Sequence, residues 1–170
     1  MPQRSGLPPQ TTGSVPHTQI DVDPVPEVHD ELLRRTFALP NVENRPTIVS
    51  LPGGRGVWIS EGVSLAHPEA IVAGREFAHI HLDGSLHAPL PFARAIQAVE
   101  AGWAERHPWA DQREGWEGLV LLYTPRSLEE LDVVYRLIVE SYNFVTGRDV
   151  EPSESSNEQW LHRKDSQIGN

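Results

Sequence analysis

The longest periodic stripe in the chain runs from Leu128 to Val145, where Leu128, Leu131, Tyr135, Ile138, Tyr142 and Val145 recur three or four residues apart. That is the spacing of an amphipathic helix. Ser127 and Glu130 supply an S-x-x-E capping signal at its start, and Gly147 marks its stop. A shorter stripe over "PEVHDELLRRTFAL" places Val28, Leu32 and Leu33 on one side, with Pro26 suited to a first turn. Pro91 opens a third helical stretch, in which Phe92, Ala95, Ile96 and Val99 recur until Gly102.

Strand patterns fill the intervals. "TIVSL" and "RGVWIS" flank Pro52-Gly53-Gly54 and predict a hairpin, while "REFAHIHL" and "SLHAPL" flank Asp83-Gly84, the strongest hairpin signal in the chain. "GLVLLYT" is an uninterrupted apolar run, which predicts a central strand buried on both faces. "GWAERHP" reads as a loop following a helix end. Together these elements predict an α+β domain over residues 25–150, a mostly antiparallel sheet of about five strands with helices packed on one face. Residues 1–24, rich in Pro, Ser and Thr, read as a flexible arm, and residues 151–170 as a polar C-terminal tail that Trp160 or Leu161 could dock. Neither carries a periodic apolar face, so both are expected to be dispensable for folding.

Composition narrows the partners. A chain of 170 residues suits one domain. A net charge of −10 without a Lys/Arg cluster argues against nucleic acid or an anionic membrane, since both require a basic footprint. The absence of cysteine removes disulfides, thiolate nucleophiles and iron–sulfur clusters. No stretch has the length and apolarity of a membrane span or a signal peptide, so a cytoplasmic location and a small-molecule substrate are expected. The loops GxGxxG, GxxxxGK[ST] and GxSxG are missing, and the Gly-rich "LPGGRG" reads as a hairpin turn.

The chemistry concentrates in the second hairpin, which holds three of the eight histidines within nine residues. Alternation puts Phe77, His79 and His81 on one face and Ala78, Ile80 and Leu82 on the other. The turn decides where His87 falls. A two-residue loop would place it opposite the other two. A three-residue loop over Leu82-Asp83-Gly84, with a left-handed glycine and a bulge, pairs His79 with His87 and Ile80 with Leu86. Only the second register keeps apolar residues on one side and polar ones on the other, so it is the expected one. Three imidazoles crowded together repel when charged, so at least one should be neutral near pH 7, as a base or a metal ligand must be.

"REFAHIH", "SLH", "GWAERHP", "YTPRSLEEL" and "SYNFVTG", in this order and spacing between Arg75 and Gly147, resemble the domain of the fungal luciferases. The loop between His81 and His87 is shorter than in those enzymes, and a polar arm stands where they carry a membrane-anchoring segment. The resemblance implies oxidation of a hydroxylated pyrone or aromatic by molecular oxygen without a dedicated redox cofactor. It matches Arg75, Glu76, His79, His81, His87, Glu105, Arg106, His107 and Arg126 to family positions.

On this reading His79 or His81 is the base, with Glu105 or Glu76 holding its tautomer, and His87 and His107 complete the catalytic set. Arg75 or Arg126 would stabilise developing negative charge. Phe77, Trp103 and Tyr123 are candidate walls for a flat ring, with Arg75, Phe77 and Trp103 as the substrate-binding set. Two alternatives stand beside it. One is a transition-metal site of His79, His81 and His87, or of two of them with His107. The other is a module that binds a small ligand without turnover.

Overall fold

A computed structural model describes residues 1–152; Trp160 and Leu161 lie outside the described residues. The elements in chain order are α1 (Pro26–Thr36), β1 (Val42–Pro46), β2 (Arg55–Ile59), a 3₁₀ turn at Pro68–Ala70, β3 (Glu76–Ile80), β4 (Leu86–Pro89), α2 (Phe92–Glu100), β5 (Ala104–Arg106), β6 (Leu119–Leu122) and α3 (Leu128–Thr146). The fold is α+β. Its single sheet has six strands in the order β1-β2-β3-β4-β6-β5, and every pairing is antiparallel.

The helices and one face of the sheet share the core. Val57, Ala78, Ile80, Leu86, Ala88, Val120 and Leu122 meet Leu131, Val134, Ile138 and Tyr142 of α3, with Leu32 of α1 and Ala95 and Ala98 of α2 at the margins. Burial of this apolar face is the main stabilising term. α3 begins as its sequence signals: the Ser127 side chain accepts from the Glu130 N–H, and Gly147 closes the helix in the left-handed region at φ 71°. The carboxylate of Glu130 turns instead to the N–H and guanidinium of Arg126. α1 is tied to α3 by the buried Arg35, which donates to Glu31 and to Asp132 at 2.9 and 2.7 Å. In α2 the inward residues are Ala95 and Ala98, and Phe92 lies outside at 54% exposure.

Several sequence expectations need correcting. The first strand is Val42–Pro46, not "TIVSL": residues 47–50 form a turn around a buried carboxylate. Glu76 accepts from the Thr47 hydroxyl at 2.5 Å and from the Ile48 N–H at 2.8 Å, and the Thr47 Oγ1 accepts from the N–H groups of Val49 and Ser50. "GWAERHP" contributes a short edge strand, β5, which pairs the outer side of β6. This makes six strands where about five were expected. β6 is therefore next to the edge instead of central, although it is buried throughout. Gly118 precedes it because a side chain there would run into the Leu90 carbonyl, 1.8 Å from where a Cβ would sit.

The proline-rich arm, read as flexible, packs against the domain in the structure: Arg4 lies by the end of α2 and the start of α3, and His17 reaches the sheet face opposite the helices. Trp103 Nε1 donates to the Pro2 carbonyl at 2.7 Å, and Arg4 donates to the Thr124 carbonyl and Glu130. The Gln19 side chain bonds both the N–H and the hydroxyl of Thr124, at 3.0 and 2.7 Å. A sequence without periodicity can still be held by such polar contacts. Deleting residues 1–20 would exchange the hydrogen bonds of Trp103 Nε1 and the Thr124 N–H for bonds to water, at a net cost of about 0.5–1.5 kcal/mol each. The unfolding temperature should fall by roughly 2–4 °C per kcal/mol. An unchanged melt would show that these contacts contribute nothing.

Candidate functional site

The second hairpin adopts the three-residue register. His79 pairs with His87 and Ile80 with Leu86, Gly84 takes φ 83°, and the apolar set faces the helices. His79, His81 and His87 consequently share the opposite face. The alternation inferred for β3 fails at one point: the register between β2 and β3 slips at Val57/Trp58, so Phe77 is an extra, bulged residue. The bulge sends Phe77 into the core against Tyr142, with ring centroids 6.1 Å apart, and brings Glu76 onto the histidine face in its place. Phe77 is thus a core residue and does not line the cavity beside the histidines.

Two more imidazoles join the hairpin. His107 follows β5, where its N–H continues the ladder to the Leu119 carbonyl, and its ring lies 4.5 Å from that of His87. His17 comes from the arm and stacks on His87 at 5.2 Å, with only 3% of the residue exposed. Five of the eight histidines therefore form one buried cluster. His17 was not legible as a site residue, because "SVPHTQI" carries no pattern beyond a histidine in a polar segment.

Hydrogen bonds order the rings. Ser85 Oγ donates to the Asp83 carboxylate at 2.6 Å, so it accepts from His81 Nδ1–H at 2.9 Å. The other nitrogen of His81 is then bare, and this buried Nε2 has no partner. His107 Nδ1 accepts from the Trp109 N–H at 3.0 Å, which leaves the proton of the neutral ring on Nε2. Glu105 takes the Nε2–H of His17, and His17 Nδ1 lies 3.0 Å from His87 Nε2. His87 Nδ1 in turn meets His79 Nε2 at 2.8 Å, a separation at which two nitrogens need a proton or a cation between them. Glu76 stands 3.4 Å behind His79 Nδ1.

Burial, and then the neighbouring imidazoles, push His81 down to about 3 and His87 well below the usual histidine range. His107 is lowered to about 4 by burial and by His17 and His79. Tyr123 is driven the other way, to about 12, by burial and by Glu105, to which its hydroxyl donates at 3.4 Å. These three rings are neutral at pH 7.

A cavity of about 200 Å³ opens beside the cluster. Its lining combines His17, His79, His87, His107 and Glu76 with Val15, Val49, Leu51, Val72, Trp109 and Leu119. An apolar cavity of about 150 Å³ accepts benzene, so a small aromatic ring fits.

The remaining candidates lie elsewhere. The Arg75 guanidinium donates to the backbone carbonyls of Ile59, Ser60 and Val63, where it clamps a loop. Arg126 pairs with Glu130 and the Ser5 carbonyl on the surface. Trp103 is buried in the core beneath the arm. None of the three lines the cavity, since each is engaged with other partners.

The α+β domain thus sets a largely apolar cavity against a cluster of buried imidazoles. Residues 74–141 match the protein family described as "Luciferase domain". The chain is 30% identical over 166 aligned residues to a luciferase of Armillaria gallica, covering 86% of this chain and 61% of that protein. Luciferases of Armillaria ostoyae and Armillaria mellea are each 29% identical over the same shares. The chain carries a domain of the fungal luciferase family. It spans about 61% of the length of these relatives. No solved structure matches it. Four of the five clustered histidines fall within the matched segment, and His17 precedes it. Among the described residues no helix is long and apolar enough to cross a membrane.

Proposed function

We propose that this domain is a luciferase-like oxidoreductase that oxidises a small hydroxylated aromatic or pyrone with molecular oxygen in the cavity beside the histidine cluster. The observation that carries this reading is the contact between His79 Nε2 and His87 Nδ1 on the cavity floor, where a buried neutral imidazole faces an apolar compartment. A base there takes the proton from an enol or phenol hydroxyl, and the electron-rich anion can then reduce oxygen. Glu76 behind His79 and the pair His17–Glu105 behind His87 stabilise the imidazolium that forms. The apolar wall excludes water and strengthens these interactions. No flavin or nicotinamide is required by this chemistry.

Oxygen uptake by the purified full-length protein with a panel of hydroxypyrones and hydroxylated styrenes tests the proposal. Uptake that depends on both protein and substrate is the expected result. Saturable binding without uptake across the panel would instead make the domain a small-ligand binding module.

A further inference from the structure

We propose that His79, His81 and His87 form a binding site for one divalent first-row transition-metal ion, of the kind represented by zinc or cobalt, with its free coordination positions turned to the cavity. Each of the three buried rings offers a nitrogen within 4.8 Å of the other two. Ligands about 2.0–2.1 Å from a tetrahedral ion lie about 3.3 Å from one another, so small movements close the set.

Three independent features point to an ion. The first is His81 Nε2, buried and unpartnered, on a ring whose other nitrogen is fixed as a donor by the Ser85–Asp83 relay. A lone pair deprived of every donor costs free energy unless something binds it. The second is the pair His79 Nε2 and His87 Nδ1, which face each other at 2.8 Å and both become available once Glu76 and His17 take the protons on the far nitrogens. The third is charge. The Glu76 side chain is fully buried, and no Lys or Arg pairs with it among the described residues, while His79 lies 3.4 Å away. The two hydrogen bonds to Glu76, from the Thr47 hydroxyl and the Ile48 N–H, leave the carboxylate without a countercharge, and a dication beyond the imidazole would supply one.

All three rings thus have a support on the nitrogen that would not bind the metal: Glu76 for His79, Ser85–Asp83 for His81, and His17–Glu105 for His87. This is how ligating histidines are oriented in metalloproteins generally. His17, His87 and His107 form a second close group. There, however, His107 uses its Nδ1 lone pair on the Trp109 N–H and presents a proton from Nε2, so it is a poor ligand. His79 and His87 line the cavity. An ion on them would therefore present its open positions to whatever enters. An anionic substrate oxygen at those positions would rest on the oxidoreductase reading above, with the ion in the role given there to the free imidazole base, but the metal site itself does not rest on it.

The test uses the full-length protein, stripped with chelator and titrated with cobalt(II) and then zinc(II) by calorimetry and visible absorption. One equivalent per chain is expected, with nitrogen-ligand cobalt bands that zinc displaces and a raised unfolding temperature. His81→Gln should weaken affinity at least about 100-fold, and Ser85→Ala, which removes only the support, about 10–100-fold. His107→Gln should stay within about 3-fold of the parent. Melting in chelator verifies that each variant is folded, and Ser85→Ala carries the test if His81→Gln is not. Absence of stoichiometric binding by the folded parent overturns the proposal, as does a loss in His107→Gln equal to that in His81→Gln. Oxygen uptake in chelator without metal binding would remove the ion and leave the oxidoreductase reading standing. Metal binding without uptake would do the reverse.

Discussion

Replacing His79 by alanine is expected to lower kcat/KM for oxygen-dependent oxidation by about 10²–10⁴-fold, the range for loss of a positioned acid–base group. The ring stands at the junction of everything the cavity offers. Its Nε2 meets His87, Glu76 lies behind its Nδ1, and it forms part of the cavity wall. Whether its lone pair takes a proton or, as proposed, an ion, no neighbouring residue can replace it at that position. Arg126→Ala gives the contrast. Its guanidinium is engaged with Glu130 and Ser5, so kcat/KM should stay within about 3-fold of the parent. Steady-state oxygen uptake with the two purified variants is the measurement. A loss of less than tenfold in His79→Ala would move the chemistry away from this face.

The second large effect is acid sensitivity of the metal-free protein. An unfolded histidine titrates near 6.5, whereas in the folded protein His81 titrates near 3 and His107 near 4, and His87 lies well below its usual range. Around pH 5 the unfolded chain therefore binds about three protons that the folded chain does not, so stability rises with pH there. The slope is about 1.4 kcal/mol per pH unit for each ring, or about 4 kcal/mol for the three. This stability is fully present above pH 6.5 and drains as the pH falls through 5 towards 4. A domain worth about 5–15 kcal/mol in all should unfold within that window. Carboxylates respond later: Glu31, which hydrogen bonds to Arg34 and then to Arg35 hold down to about 2, loses its contribution only below its ordinary value of 4.5. Thermal melts in chelator between pH 7.5 and 4 should show the loss beginning near pH 6. A flat profile from pH 7 to 5 would mean that these rings are solvated.

Much of this architecture is legible in the linear chain where a pattern repeats. The stripe from Leu128 to Val145 fixes α3, and segregation of apolar from polar positions selects the right register for the His79–His87 hairpin. What escapes is set by single long-range contacts. "TIVSL" has the composition of a strand, but Glu76, 28 residues on from Ile48, draws its backbone into a turn. Phe77 obeys alternation on paper and leaves the histidine face because one extra residue is accommodated beside Trp58. β5 is three residues long, too short to display a period. His17 reaches the cluster through Glu105 and His87, 88 and 70 residues away, and no local signal records partners at that distance.

The position of His17 ties the proposed chemistry to the integrity of a segment that lies outside the apolar core. The arm is held mainly by polar contacts, so its detachment removes little of what keeps the sheet and helices together. It removes a great deal from the cavity: one imidazole, the link from His87 to Glu105, and the wall formed by Val15. A proteolytic cut between Ile20 and Pro26 would therefore leave a particle that still resembles the native domain in its circular dichroism and size, yet whose histidine cavity is open to water. Loss of function would then precede any loss of shape, and preparations that look intact on a column would differ in what they can do.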